Sequence, residues 1–307
     1  MERLPKAPKP DVQSKFYRAY RVMAGVTRIM GYGGENCYLI EGSERALLVD
    51  GLAGVGSLKA FVRELTDLPV SLALTHGHID HAGMAWETGE CYINPDDIAL
   101  LYTRMHTDRQ ARLDYEMGRR SPGDPGNGCP ATLADVPPAC AVRTYPIYTG
   151  DVFDLGGARL EVIQVPGHTC GTVVFLDRAR RIVFSGDACN PNTLLNLSGS
   201  TSIEEYLQSL KFFKTCQDAF DVMYGGHGPV AVPSSIIDDG IRLCEDILAG
   251  RDDAIETPSR GGMALLALKR GANYMPERGG FCNIVYLRET LRRRPHPVIA
   301  GGPNVYR

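Results

Sequence analysis

The chain has 307 residues, 44% of them hydrophobic, with a formal net charge of −3 and a pI near 6.2. That supplies a sizeable core within the length range of a single α/β domain. The absence of a basic surplus argues against a nucleic-acid partner. No run of about 18 apolar residues occurs, so no membrane partner is expected either.

In chain order, residues 1–14 are polar and proline-containing and read as a flexible leader without the apolar core of a signal peptide. Segments 16–30 and 36–50 carry the apolar and β-branched content of strands, with Gly42-Ser43 at the tip of a hairpin in the second. Residues 57–66 have helical periodicity through Leu58, Phe61, Val62 and Leu65. Leu68 to Leu74 suits a short buried strand. Residues 95–118 read as helical, with Pro95 in the first turn. Residues 121–141, rich in Pro, Gly and Cys, read as an irregular loop. Strands are predicted over 145–154, 158–165, 171–177, 181–186 and 220–224. Helices are predicted over 203–214, where Ser202 is placed to cap, and over 234–250. Strands followed by strand–helix alternation suggest a layered α/β fold. The nine scattered cysteines, odd in number and without a CxxC pair, point to free thiols in a reducing cytoplasm.

The chemistry concentrates in Leu74-Thr75-His76-Gly77-His78-Ile79-Asp80-His81, at the end of a predicted strand. Alternate residues of extended chain project to one side, so His76 and His78 can share a metal. Asp80 and His81 then point elsewhere and can serve a second ion. Solvated turns favour Gly, Asn, Asp and Ser rather than clustered histidine. Imidazole and carboxylate together suit zinc, iron or manganese.

This stretch resembles the HxHxDH signature of the metallo-β-lactamase superfamily. The resemblance continues through Pro166-Gly167-His168-Thr169, Ser185-Gly186-Asp187 and Gly226-His227-Gly228, from about Gly25 to Pro229. Five of the seven histidines fall in these motifs; only His106 and His296 lie outside. The resemblance implies a four-layer αββα sandwich with two metal ions, zinc ahead of iron or manganese. His76, His78 and His168 would hold one ion. Asp80, His81 and His227 would hold the other, and Asp187 would bridge them. A water shared by two cations ionises near neutral pH, attacks a carbonyl or phosphorus, and leaves the same cations to hold the oxyanion. Asp80 and Asp187 are therefore the expected catalytic carboxylates, with Asp80 placed to pass a proton to the leaving group.

Around this set, Asp50 ends the run Ala46-Leu47-Leu48-Val49 and either orients a ligand histidine or starts a turn. Asn36 reads as structural. Thr169, Thr172, Cys170 and Cys189 read as packing residues, and Arg119-Arg120 and Arg292-Arg293-Arg294 as solvated charge. Residues 15–307 form one domain, with a cap-like insertion at about 96–140 that offers Tyr102, Met105 and Tyr115 as pocket wall. A C-terminal helical segment spans 234–307, from which Tyr274 and Arg278 could reach the pocket.

Departures narrow the family. Flavodiiron oxidoreductases usually carry Glu where this chain has His78, and zinc β-lactamases a cysteine where it has Asp187. Quorum-sensing lactonases tend to have tyrosine where Asn190 stands. The glyoxalase thioesterases share the bridging aspartate. The expected function is hydrolysis of a small acyl compound: a thioester, lactone or ester. The alternatives are an iron-binding redox or metal-binding protein on the same scaffold, or a phosphodiesterase- or β-lactamase-type hydrolase. The expected partner is a small-molecule substrate, and a homo-oligomer is compatible with the sequence.

Overall fold

The computed structural model describes residues 10–119, 130–260, 262–271 and 275–292. Its first sheet runs in sequence order. Strands β1 (Val12–Gln13), β2 (Arg18–Met23), β3 (Val26–Met30), β4 (Asn36–Glu41) and β5 (Ala46–Val49) pair antiparallel. After helix α1 (Leu58–Arg63) comes β6 (Val70–Ala73), parallel to β5. Short helices α2 (Ile79–Ala82) and α3 (Ala85–Thr88) lead to β7 (Glu90–Ile93). A 3₁₀ turn (Pro95–Tyr102) and helices α4 (Arg104–Thr107) and α5 (Arg109–Arg119) precede β8 (Arg143–Pro146), which is parallel to β7.

The second sheet is built from β9 (Val152–Asp154), β10 (Arg159–Gln164), β11 (Val173–Asp177) and β12 (Ile182–Gly186). The chain then leaves it through β13 (Thr193–Leu195) and α6 (Ile203–Lys214), returns as β14 (Val222–Gly225) and β15 (Val232–Pro233), and enters α7 (Ile236–Leu248). Strands β16 (Ile255–Ser259), β17 (Gly262–Leu266) and β18 (Ile284–Tyr286) join β13 in a third, four-stranded sheet.

The layering follows from side-chain alternation. Tyr38, Ile40, Leu47 and Val49 face Val173, Phe175, Phe184 and Tyr224 across the two large sheets. The alternate residues Cys37, Leu39 and Leu48 turn out under α1 and its neighbours. Val174, Leu176 and Val183 turn out under α6 and α7. Both faces of the central strands are therefore buried, which is why β5, β11 and β12 read as unbroken apolar runs. The result is the expected αββα sandwich.

Four expectations are corrected. The described part of 234–307 is not one helical segment: α7 ends at Leu248 and strands of the third sheet follow. Residues 12–13 are not leader but an edge strand, with Val12 opposite Ala19. Segment 16–30 is two strands turning at Gly25, whose φ is 71°. Segment 145–154 is likewise split, because Gly150 (φ 98°) turns the chain from the first sheet into the second. Among the described residues no helix is long and apolar enough to cross a membrane.

Candidate metal centre

The first sheet delivers one half of the site. Just beyond β6, His76 and His78 place their rings edge to face with centroids 4.9 Å apart. His78 is the N-cap of α2, so Asp80 and His81 leave the extended chain and turn onto a helix. Asp50 closes this half. It accepts the amide of Thr75 at 2.7 Å and the Thr75 hydroxyl at 2.9 Å. Nδ1 of His81 lies 2.8 Å from the same carboxylate, so Asp50 orients a histidine of the cluster rather than merely starting a turn. Gly77 is required by close approach: a Cβ there would stand 2.7 Å from the carbonyl oxygen of Asp97.

The second sheet delivers the other half from its strand ends. His168 follows β10, Asp187 follows β12 and His227 follows β14. Gly186 has φ 49°, and a Cβ there would meet Thr75 Oγ1 at 2.2 Å, so the two halves can join only through a glycine. Nδ1 of His168 donates to the Leu194 carbonyl at 2.8 Å, leaving Nε2 aimed at Nδ1 of His78, 2.9 Å away. Asp187 Oδ2 lies 3.6 Å from Nε2 of His168, 3.6 Å from Nε2 of His227 and 3.8 Å from Nε2 of His81.

The fold thus brings all seven motif residues together. The donor atoms of His76, His78 and His168 lie within 4.8 Å of one another, as do those of His76, His81 and Asp187, and those of Asp80, His81 and His227. His76 Nε2 and Asp187 Oδ1 are buried there with no hydrogen-bond partner. Unsatisfied buried polar atoms are costly. Nitrogen and carboxylate donors converging on a common point fit a cation, and the set fits two.

For His76, His78 and His168 the electrostatics agree with that fit. Burial, with the neighbouring histidines, pushes His76 well below its ordinary pKa and His78 down to about 3. Burial also lowers His168. Neutral imidazole is the ligating form. Burial opposes the charged form of His81 too, but Asp50, Asp187 and Asp80 outweigh it and hold that ring up to about 9. Burial works against the Asp80 carboxylate, yet Arg119 and His227 prevail and hold it well below the usual range. Asp187 is likewise held anionic against burial by His227, His81 and His168.

Two functional side chains escaped the sequence reading. Arg119 is not solvated charge: its guanidinium donates to Asp80 and, at 2.9 Å, to Nδ1 of His227. Arg112, Glu116 and Arg119 recur at helical spacing on the buried face of α5, and that charged stripe was the available signal. Asp97 is fully buried and accepts the Gly77 amide at 2.8 Å, the Gly171 amide at 2.8 Å and the Thr169 hydroxyl at 2.6 Å. It ties the His76–His78 loop to the His168 loop across 90 residues of sequence. Its place at the start of a 3₁₀ turn gave only a cap-like signal.

Of the remaining candidates, Asn36 donates to the Gly226 carbonyl and serves structure. Thr169 and Thr172 hydrogen-bond each other within the Asp97 network. Cys189 is buried beside Cys282, whereas Cys170 is exposed and does not pack as expected. Arg278 pairs with Asp253, and Arg292 with Glu204. Arg120, Tyr274, Arg293 and Arg294, and the part of the 121–141 loop before Pro130, lie outside the described residues.

A cavity of about 1260 Å³ opens onto the cluster. Met105 and Tyr115 line it; Tyr102 does not, and instead donates to the Val142 carbonyl. Leu100, Leu194, Leu197 and Met275 add apolar wall.

A sandwich with metal-ligating motifs at its strand ends defines a class, and the comparisons agree with it. The metallo-beta-lactamase superfamily profile matches residues 30–227, and the chain belongs to that superfamily. The acyl-coenzyme A thioesterase MBLAC2 of Gallus gallus is 28% identical over 183 residues, covering 57% of this chain and 64% of that protein, somewhat under two thirds of its length. The Homo sapiens protein of the same name is 24% identical, covering 76% of this chain and 86% of its own. The atrochrysone carboxyl ACP thioesterase of Aspergillus fumigatus is 27% identical over 74% of this chain and 60% of its own. Among solved structures, a metallo-beta-lactamase from Pontibacter korlensis shares the fold, with a TM-score of 0.52 and 17% identity over 75% of this chain and 99% of that one.

Proposed function

We propose that this chain is a dinuclear-metal hydrolase of acyl thioesters. The carrying observation is a large, mostly apolar cavity that opens directly onto the histidine–aspartate cluster. Its wall suits an acyl chain. His76, His78 and His168 would hold one ion and Asp80, His81 and His227 the other, with Asp187 shared. Zinc is the expected metal, on the nitrogen-rich donor set. When bound, the ions would supply water activation and carbonyl polarisation. The chain's own residues do the rest. Asp50 fixes the His81 ring and the Leu194 carbonyl fixes that of His168. Asp80, held as a carboxylate, would take up the proton lost by the attacking water and pass it to the departing thiolate. Relatives named as thioesterases support the thioester ahead of a lactone or simple ester. The free thiols expected of the nine cysteines go with a cytoplasmic setting.

The test is metal analysis joined to steady-state kinetics. Metal-loaded protein should hydrolyse an acyl thioester with kcat/KM of at least ~10⁴ M⁻¹s⁻¹. His78→Ala and Asp187→Ala should lose both metal and turnover. Full activity after exhaustive chelation, or a phosphodiester or β-lactam turned over far faster than any thioester, would overturn the reading.

A further inference from the structure

The cavity lining carries charge that the reading above does not use. Three carboxylates line it. Asp80 is taken by Arg119, Asp187 sits among the histidines, and Asp114 accepts from Gln110 at 2.8 Å. Two further arginines also line it, both from the third sheet, and both have only neutral partners among the described residues. Arg260 caps the β16–β17 hairpin. Its guanidinium lies 4.5 Å from the ring centroid of Tyr115 and donates to the Tyr115 hydroxyl. That hydroxyl also accepts from Arg119, so Asp80, Arg119, Tyr115 and Arg260 form a chain leading outward from the cluster. Burial raises the Tyr115 phenol, which stays neutral and offers the two guanidinium groups no countercharge. Arg270, just past β17, donates to Asn192 Oδ1, and its Nε is buried without a partner.

A thioester whose carbonyl sits at the metal cluster must send its acyl chain and its thiol carrier in different directions. The apolar wall accounts for the acyl chain. Guanidinium forks match phosphate oxygens in geometry as well as charge. The cavity also exceeds the ~300–1,000 Å³ typical of drug-sized ligands, leaving room for both halves. We infer that Arg260 and Arg270 form a phosphate subsite for the carrier, so that the substrate is a thioester of a phosphorylated pantetheine thiol. The inference rests on the thioesterase reading for the direction in which the carrier leaves, but the subsite can be tested apart from it.

The experiment compares three thioesters of one acyl group: coenzyme A, 4′-phosphopantetheine and uncharged N-acetylcysteamine. In metal-loaded wild type, kcat/KM for a phosphorylated carrier should exceed that for the uncharged one by at least tenfold. In Arg260→Ala/Arg270→Ala that ratio should fall at least tenfold, chiefly through KM, and Arg260→Lys/Arg270→Lys should restore part of it. A dependence on the arginines already complete with phosphopantetheine places the contact at the pantetheine phosphate, common to coenzyme A and carrier proteins. One seen only with coenzyme A places it at the nucleotide phosphates. A ratio near one in the wild type, or one that the alanine substitutions do not move, overturns the subsite. If the wild type hydrolyses none of the three, the thioesterase reading fails. Calorimetry with desulfo-coenzyme A then decides the subsite alone. Binding that weakens at least tenfold in the double alanine variant supports it, and absence of binding to the wild type overturns it.

Discussion

Asp50 Oδ2 lies 2.8 Å from Nδ1 of His81, and both side chains are almost wholly buried. The pair sits where β5 ends, so the sheet that builds the core also sets the tautomer and tilt of a histidine facing the second sheet. Asp50→Asn keeps the size and loses the anionic acceptor. Outer partners of ligand histidines are worth about 10–100-fold in metal affinity. We expect a loss of that order, read by competition with a chromophoric chelator. Unchanged affinity would show that the His81 ring is held by packing alone.

Arg119 and His227 give a second expectation. The guanidinium donates to Nδ1 of His227, leaving the proton on Nε2, 3.1 Å from Asp80 Oδ2. A metal on His227 Nε2 must break this arrangement. In the metal-free protein, Arg119→Ala leaves the buried Asp80 carboxylate without its main countercharge, a loss of about 3–5 kcal/mol for a buried pair. Metal would supply that charge itself. Melting curves with and without chelator should show the variant well below wild type when stripped and much closer when loaded. An equal gap in both states would contradict the idea.

Asp97 receives three donors from two loops. Removing a buried acceptor costs about 1–3 kcal/mol for each group left unsatisfied. Asp97→Ala should therefore lower the urea midpoint substantially and release metal, because the His76–His78 and His168 loops lose their common tie. Wild-type midpoint and metal content would make Asp97 a bystander.

His106 yields a pH dependence. The ring lines the cavity, is 2% exposed and packs on Trp86 at 6.2 Å. Burial pushes its pKa down to about 4, with Asp80 opposing and Arg112 assisting. The unfolded chain takes up this proton near pH 6.5 while the folded chain refuses it until about 4. Its titration therefore removes stability as pH falls through that window, at about 1.4 kcal/mol per unit. Against His106→Gln, the wild-type stability advantage should shrink between pH 7 and 5. A gap that stays constant or widens would refute this.

What the sequence disclosed and withheld follows from how far each signal reaches. Helix α6 was legible to the residue because Ser202 and Glu205 cap each other reciprocally, at 3.2 and 3.1 Å. The seven clustered residues were legible because four motifs together resemble one family's signature, where His168 or His227 alone would have read as a core histidine, and the fold does gather them. The third sheet was not, since β13 pairs with β18 some 90 residues later and the stretch after α7 carries glycine turns rather than a period. Arg119 was missed because a charged residue on a helix is read as solvated until something is known to lie beneath it.

The segment from Pro95 to Arg119 carries Asp97 at one end and Met105, Tyr115 and Arg119 toward the other. One wall of the cavity and the fastener between the histidine loops are therefore one continuous stretch of chain. A chimaera that imports this whole stretch to change specificity also imports its fastener. Relatives without an acid at the first position are poor donors, whatever their substrates. Recombination is better begun at Arg104, beyond the 3₁₀ turn, where the wall can vary while the cradle stays native.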